Sequence, residues 1–342
     1  MPNLCPRLAT LLFPLILTSI LASQTAPPRE HFDHATVLYD WVTNSRGQKL
    51  RTFVTRPNNA TGKVPVIFLV GWLSCDTMES PSPAPDDGFG IFLRRLIDQS
   101  GYATVRMDKP GVGESEGTCA QADFKDEIEG WRAAFDAISK YDFIDQDRIF
   151  VLGMSNGGGF SPLAAGSHRV SGFVSCGSWG RTWYEHMLEL ERRRMVEDKK
   201  PPAEVNAAVK IFADFYNLYL MKGMTPGQVI AQHTEWKNLW YDTPDGQYGR
   251  PAAFYQQLEA LNLGEIWQNV TAPVFVIRGS ADTIMSHADS EAIAQIVNQA
   301  HPGHARYVEI DGMTHGFTVN GNFHDPIVPL VLSWMREQVS KN

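Results

Sequence analysis

The sequence predicts an α/β protein: a mostly parallel central sheet with helices on both faces and an inserted helical cap. Three observations predict this. Apolar runs of strand length alternate with segments of helical periodicity along most of the chain. Some of these runs are continuously apolar, as in Val64-Pro-Val-Ile-Phe-Leu-Val70, which is the pattern of a strand buried on both faces. The interval 181–269 breaks the rhythm, with helical stretches and no convincing strand.

The elements follow in order. Residues 36–55 carry two β-rich runs around the turn cluster Asn44-Ser45-Arg46-Gly47, which reads as an antiparallel hairpin. Strands are expected at 64–71, 102–108, 148–155, 170–178, 273–280 and 305–311, and helices at 89–99, 124–140, 157–165 and 327–341. Within the insertion, helical stretches at 183–197, 203–221 and 226–240 are rich in aromatics, among them Phe212, Phe215, Tyr216, Tyr219 and Trp240. Aromatics at helical spacing pack a cap against its core. The expected organisation is a core of residues 23–180 and 270–342, with a cap at 181–269.

Residues 1–22 read as a secretory signal. They hold one charge, Arg7, followed by the apolar run Leu11 to Ala22 of 12 residues. A spanning helix needs roughly 20 apolar residues, whereas a short run behind a basic residue and ending in small residues suits export. The expected location is therefore outside the cell or in a periplasm, with no stable membrane anchor after cleavage. Charge excludes another class: 30 Lys+Arg against 38 Asp+Glu gives −8, which is no electrostatic footprint for a dedicated nucleic-acid binder. Cys5 leaves with the signal, so Cys75, Cys119 and Cys176 allow at most one internal disulfide. No paired CxxC and no HExxH occurs, and neither a metal nor a cofactor is expected.

The chemistry concentrates at strand ends. Gly153-Met154-Ser155-Asn156-Gly157 follows an apolar strand and precedes a run of glycines. A serine on so sharp a strand-to-helix turn needs small neighbours, and the turn presents its Oγ above the sheet with the next N–H at a helix N-terminus. Ser155 is the candidate nucleophile. Asp282 follows the strand at 273–280, and His315 follows the strand at 305–311. His315 is the candidate base, chosen among ten histidines because it alone lies in a strand-end loop downstream of a suitable acid with a final helix behind it. Asp282 is the candidate orienting acid, with Asp289 and especially Asp311 as rivals. The loop Gly71-Trp72-Leu73-Ser74 follows the first buried strand, so the backbone N–H groups of Trp72 and Asn156 are the candidate oxyanion donors. Trp179 and Trp183, where the insertion leaves the core, are the candidate substrate-binding residues. The stretch Asp108-Lys-Pro-Gly-Val-Gly-Glu-Ser115-Glu-Gly117 lacks the GK[ST] ending of a phosphate loop and reads as a structural turn under the site.

Together, the Gly71-Trp72 loop, the DxxGxGxSxG stretch at 108–117, the GMSNG elbow, Asp282 and His315 resemble the α/β-hydrolase superfamily over nearly the whole mature chain. The elbow is similar to those of prolyl-oligopeptidase-like and dienelactone-hydrolase-like members. The oxyanion loop departs from the common His-Gly with Val70-Gly71. The resemblance implies a fold that brings the loops before Cys75 and Cys119 to one sheet edge, and hence a Cys75–Cys119 disulfide with Cys176 left as a core thiol. It also implies a serine hydrolase acting on a small-molecule carboxylic ester through an acyl-enzyme. The alternatives are a peptidase or amidase, for which Glu185, Glu189, Glu191 and Arg192–Arg194 are candidate anchors of a peptide terminus, and a non-catalytic binding protein on the same fold.

Overall fold

The computed structural model describes residues 29–341. The expected signal at residues 1–22 lies outside the described residues. Eight strands form one sheet: β1 (Ala35–Thr43), β2 (Lys49–Pro57), β3 (Val64–Val70), β4 (Ala103–Met107), β5 (Ile144–Met154), β6 (Gly172–Cys176), β7 (Val274–Gly279) and β8 (Ala305–Ile310). Their order is β1-β2-β4-β3-β5-β6-β7-β8. β2 is antiparallel to both of its neighbours, and the pairs from β4 to β8 are parallel. The continuous apolar run of β3 is explained by its place: β4 lies on one side, β5 on the other, and Pro65 to Val70 are buried.

Helices cover the sheet because parallel strands need crossovers. α1 (Gly88–Ser100) starts at Asp87, whose side chain accepts the Gly90 N–H, and stops at Gly101 in the left-handed conformation at φ 67°. α2 (Phe124–Asp136) opens on a reciprocal cap between Asp123 and Asp126. The helix expected over 124–140 finishes as a 3₁₀ turn at Ala137–Lys140. α3 (Asn156–Ala165) leaves directly from the end of β5.

The insertion between β6 and β7 holds α4 (Trp183–Glu197), α5 (Pro202–Tyr216) and α6 (Pro226–Gln232), then α7 (Ala252–Glu259) and α8 (Leu263–Gln268). The interval expected to lack strands contains a two-residue antiparallel ladder, Gly246-Gln247 with Arg250-Pro251. It is too short for strand periodicity to register in sequence. The stretch expected to be helical over 226–240 breaks after Gln232 into a 3₁₀ turn at Thr234–Trp236. α8 packs against α3, and the Trp267 indole donates to the Gly159 carbonyl at 2.9 Å, so α8 sits with the core helices. The chain closes with α9 (His287–Ala300) after β7 and α10 (Ile327–Lys341) after β8. Among the described residues, no helix is long and apolar enough to cross a membrane.

Cys75 and Cys119 are bonded, with their Cα atoms 6.0 Å apart, and tie the loop after β3 to the loop after β4. Cys176 is a buried free thiol, pushed up to about 12 by burial. The bond spans a sequence separation of 44. Loop-closure entropy for such a cross-link predicts that replacing both cysteines by serine costs about 2–4 kcal/mol. Urea unfolding of the oxidised and Cys75→Ser/Cys119→Ser proteins measures this, and equal midpoints would refute it.

Candidate active site

The chain leaves β3 for β4 on one side and returns past it to β5 on the other. That reversal opens a crevice at the carboxyl ends of β3 and β5, where open α/β sheets bind ligands. Ser155 stands there, between β5 and α3, with φ 54° and ψ −129°, a strained backbone for a side-chain-bearing residue. The turn closes only with glycines on either side. A Cβ on Gly153 would come within 2.4 Å of Gly158 Cα, and one on Gly157 within 2.1 Å of the Gly71 carbonyl oxygen. The Ser155 N–H donates to the Cys176 carbonyl at 2.9 Å, and its own carbonyl accepts from Ser178 Oγ at 2.7 Å, which holds the turn on β6.

His315 Nε2 lies 3.0 Å from Ser155 Oγ, and His315 Nδ1 lies 2.8 Å from Asp282 Oδ2. Asp282 is buried, and its Oδ1 accepts the N–H groups of Ile284 and Met285, both at 2.8 Å. A carboxylate so placed accepts a hydrogen bond from His315 Nδ1, which leaves Nε2 as the ring nitrogen facing the serine. Arg193 of α4 steadies the acid loop by donating to the carbonyls of Thr283 at 3.0 Å and Ile284 at 2.7 Å. The rival acids are engaged elsewhere: Asp311 is exposed and accepts from Ser280 Oγ at 3.2 Å, while Asp289 meets His186.

Trp72 and Asn156 flank the serine from the end of β3 and the start of α3. Among the described residues, neither backbone N–H has an acceptor, which leaves both free for an oxyanion. The Asn156 side-chain amide is buried with neither polar atom partnered. Lys109 braces this loop from below. It is 2% exposed, and its Nζ donates to the carbonyls of Trp72 at 2.6 Å, Leu73 at 3.3 Å and Ser74. Burial holds its ammonium well below the usual lysine range. Beside it, burial pushes the Asp108 carboxyl up to about 6 against hydrogen bonds from Thr77 and the Met78 N–H. The stretch read as a glycine turn therefore also carries the brace of the Trp72 loop, which no spacing rule reports.

Ser155, Asn156, Trp72 and His315 line one cavity of about 600 Å³. Phe89, Leu93, Trp183, Leu190, Ile284 and Met285 give it apolar walls, and Asp76, Glu79 and Asp87 add acidic groups. Trp183 lies in its wall, whereas Trp179 does not. Trp179 is fully buried with its indole donating to the Asn156 carbonyl at 3.2 Å, so its position corrects the expectation of substrate contact: it supports the elbow from behind. A second cavity of similar volume, lined by Pro162, His168, Val270 and Gln338, contains none of these groups.

A family model described as serine aminopeptidase, S33, matches residues 92–321. The chain belongs to this family. The matched span includes Ser155, Asp282 and His315, and the S33 family places the chain among the serine hydrolases of α/β-hydrolase fold. Among solved structures, Est1E from Butyrivibrio proteoclasticus with bound ferulic acid is 18% identical with a TM-score of 0.59, covering 88% of this chain and 99% of that one. The acylaminoacyl peptidase of Pyrococcus horikoshii is 13% identical with a TM-score of 0.59, covering 89% of this chain and 41% of that one. At such identities the likeness is one of fold. The quorum-quenching protein AidA of Acinetobacter baumannii (strain MDR-ZJ06) is 35% identical over 86 residues, or 25% of this chain. That alignment spans only 28% of AidA's length.

Proposed function

We propose that this S33 family member is an exported serine esterase that cleaves small-molecule carboxylic esters through a Ser155 acyl-enzyme. The observation that carries this reading is the unbroken hydrogen-bond chain from Asp282 through His315 to Ser155 Oγ at the wall of a largely apolar cavity. His315 Nε2 takes the Ser155 proton as Oγ attacks the ester carbonyl carbon. The carbonyl oxygen gains a negative charge, stabilised by the N–H groups of Trp72 and Asn156 and by the N-terminus of α3. The protonated His315 then gives its proton to the departing alkoxide. Water repeats the sequence on the acyl-enzyme, with His315 as base again. Asp282 holds the ring and stabilises its cation throughout. The short apolar N-terminal run and the Cys75–Cys119 bond support export, because disulfides persist in oxidising compartments.

The family's aminopeptidase description gives the amide reading its weight. The cap charges that could hold a peptide terminus are engaged within the protein. Glu185 caps its own helix at Thr182, Glu189 pairs with Arg181, and Glu191 accepts from Tyr216 at 3.0 Å and Arg194 at 3.2 Å. Measuring kcat/KM on chromogenic esters of rising acyl length and on aminoacyl amides separates the two. Esters are expected to be preferred, with a chain-length optimum set by the cavity. Preference for the amides would put the peptidase reading first, and turnover of neither would overturn the esterase reading.

A further inference from the structure

Ser155 shares its cavity with a second imidazole. His186, on α4, is 1% exposed and lines the same cavity as Ser155, Trp183, Leu190 and Met285. Its Nδ1 lies 3.0 Å from Asp289 Oδ2, across 103 positions of chain. Asp289 is itself fully buried and surrounded by donors. Oδ2 also accepts the Ser286 N–H at 3.0 Å, and Oδ1 accepts Arg181 Nε at 3.0 Å and Nη2 at 2.7 Å. Burial alone would push this carboxyl up, but the hydrogen bond and charge of His186, then the Arg181 charge and the Ser286 N–H, outweigh it and hold it well below the usual range.

An ionised carboxylate only accepts. His186 Nδ1 therefore carries a proton toward Asp289, and Nε2 is the ring nitrogen left for the cavity. Among the described residues Nε2 has no hydrogen-bond partner, yet it is not among the polar atoms sealed from solvent. The ring is held against Trp183, with centroids 4.7 Å apart. A fixed ring nitrogen thus meets the cavity that the apolar side chains of Trp183, Leu190 and Met285 also line. Such a group leaves an unmet hydrogen bond in any complex that does not supply a partner. A neutral hydroxyl supplies one without the cost of burying a cation. No serine, threonine or cysteine side chain is hydrogen-bonded to His186 among the described residues, so this pair has no nucleophile to activate.

We propose that His186 Nε2 is a specificity-determining hydrogen-bond partner of a substrate hydroxyl, so that the preferred esters are hydroxylated on the group held beside Trp183 and Leu190. This rests on the esterase reading of Ser155. Asp289 is a positioning residue that orients the ring, and Arg181 holds Asp289.

The test uses ester pairs that differ by one hydroxyl, with the hydroxyl on the acyl side in one series and on the alcohol side in the other. The wild-type protein is expected to prefer the hydroxylated member in one series by about tenfold or more in kcat/KM. In His186→Leu the preference falls to near unity, mainly through KM. In His186→Gln, whose amide can still hydrogen-bond, part of it returns. Asp289→Ala frees the ring from its anchor, and the hydroxyl preference then falls with the imidazole still present. Thermal unfolding identifies any variant that fails to fold. Calorimetric binding of the same pairs to Ser155→Ala reads the subsite without catalysis. Turnover with no hydroxyl preference in either series, or a preference kept by His186→Leu, overturns the proposal and leaves the esterase reading standing. Absence of all ester turnover overturns that reading, and equal binding of the pairs to Ser155→Ala then overturns the subsite as well.

Discussion

Replacing Ser155 with alanine is expected to lower kcat/KM for any ester the protein cleaves by roughly 10⁴-fold or more, with KM little changed. The reason is geometric. His315 Nε2 has Ser155 Oγ at 3.0 Å, so losing the hydroxyl leaves a base with nothing to activate. His315→Ala should fall in the same range, and the double variant no lower than either single one, because the residues act as a unit. Asp282→Asn should cost roughly 10⁴-fold in kcat, because an amide at Asp282 can donate to Nδ1 and turn the wrong ring nitrogen to the serine. The elbow adds a stability effect of opposite sign. Ser155 sits at φ 54° and ψ −129°, so Ser155→Gly should raise stability by about 1 kcal/mol while abolishing turnover. Steady-state kinetics and thermal unfolding measure both. Undiminished turnover in Ser155→Ala would remove Ser155 from the reaction.

Breaking the Glu127–Arg250 pair is expected to destabilise the protein by about 3–5 kcal/mol for either single change, Glu127→Leu or Arg250→Met. Both side chains are almost wholly buried and ion-paired, with Arg250 in the short ladder of the insertion and Glu127 on α2. Arg250 also donates to the Cys119 carbonyl at 3.4 Å and lies against its Sγ, so it ties the insertion to the disulfide. Burial pulls the guanidinium down to about 10. Removing one partner leaves the other charge buried without compensation, whereas replacing both by apolar side chains removes that cost. Glu127→Leu/Arg250→Met should therefore lose less than the two single changes together. Urea unfolding of the four proteins measures the coupling, and additive single effects would refute it.

Much of this molecule is legible in its sequence because the signals are local. The β3 run is continuously apolar since the strand is covered on both faces. The elbow is legible because Gly153 and Gly157 have backbone within 2.4 Å and 2.1 Å of where a Cβ would lie, and only glycine fits. The ladder at 246–251 and the break after Gln232 are not legible, because two-residue pairings and single-turn helices are too short to show a period. Asp289 could have been set apart from Asp282 by its own neighbourhood: Ser286 and Asp289 form the reciprocal cap of α9, which already commits that carboxylate.

The sheet-and-helix alternation, the strand-end positions of Ser155, Asp282 and His315, and the small residues that let the serine turn are all written in the chain's local order. Each follows from periodicity or from the space around a backbone. Tertiary packing alone set which acid meets His315, that Trp179 supports the elbow rather than lining the cavity, that Lys109 braces the Trp72 loop, and that His186 meets Asp289 at the cavity Ser155 also lines. Those four depend on where a side chain ends after the chain has crossed the sheet. A carboxylate's partner is set by the path of the loop after its strand, and a buried polar group takes whichever partner the packing brings within about 3 Å.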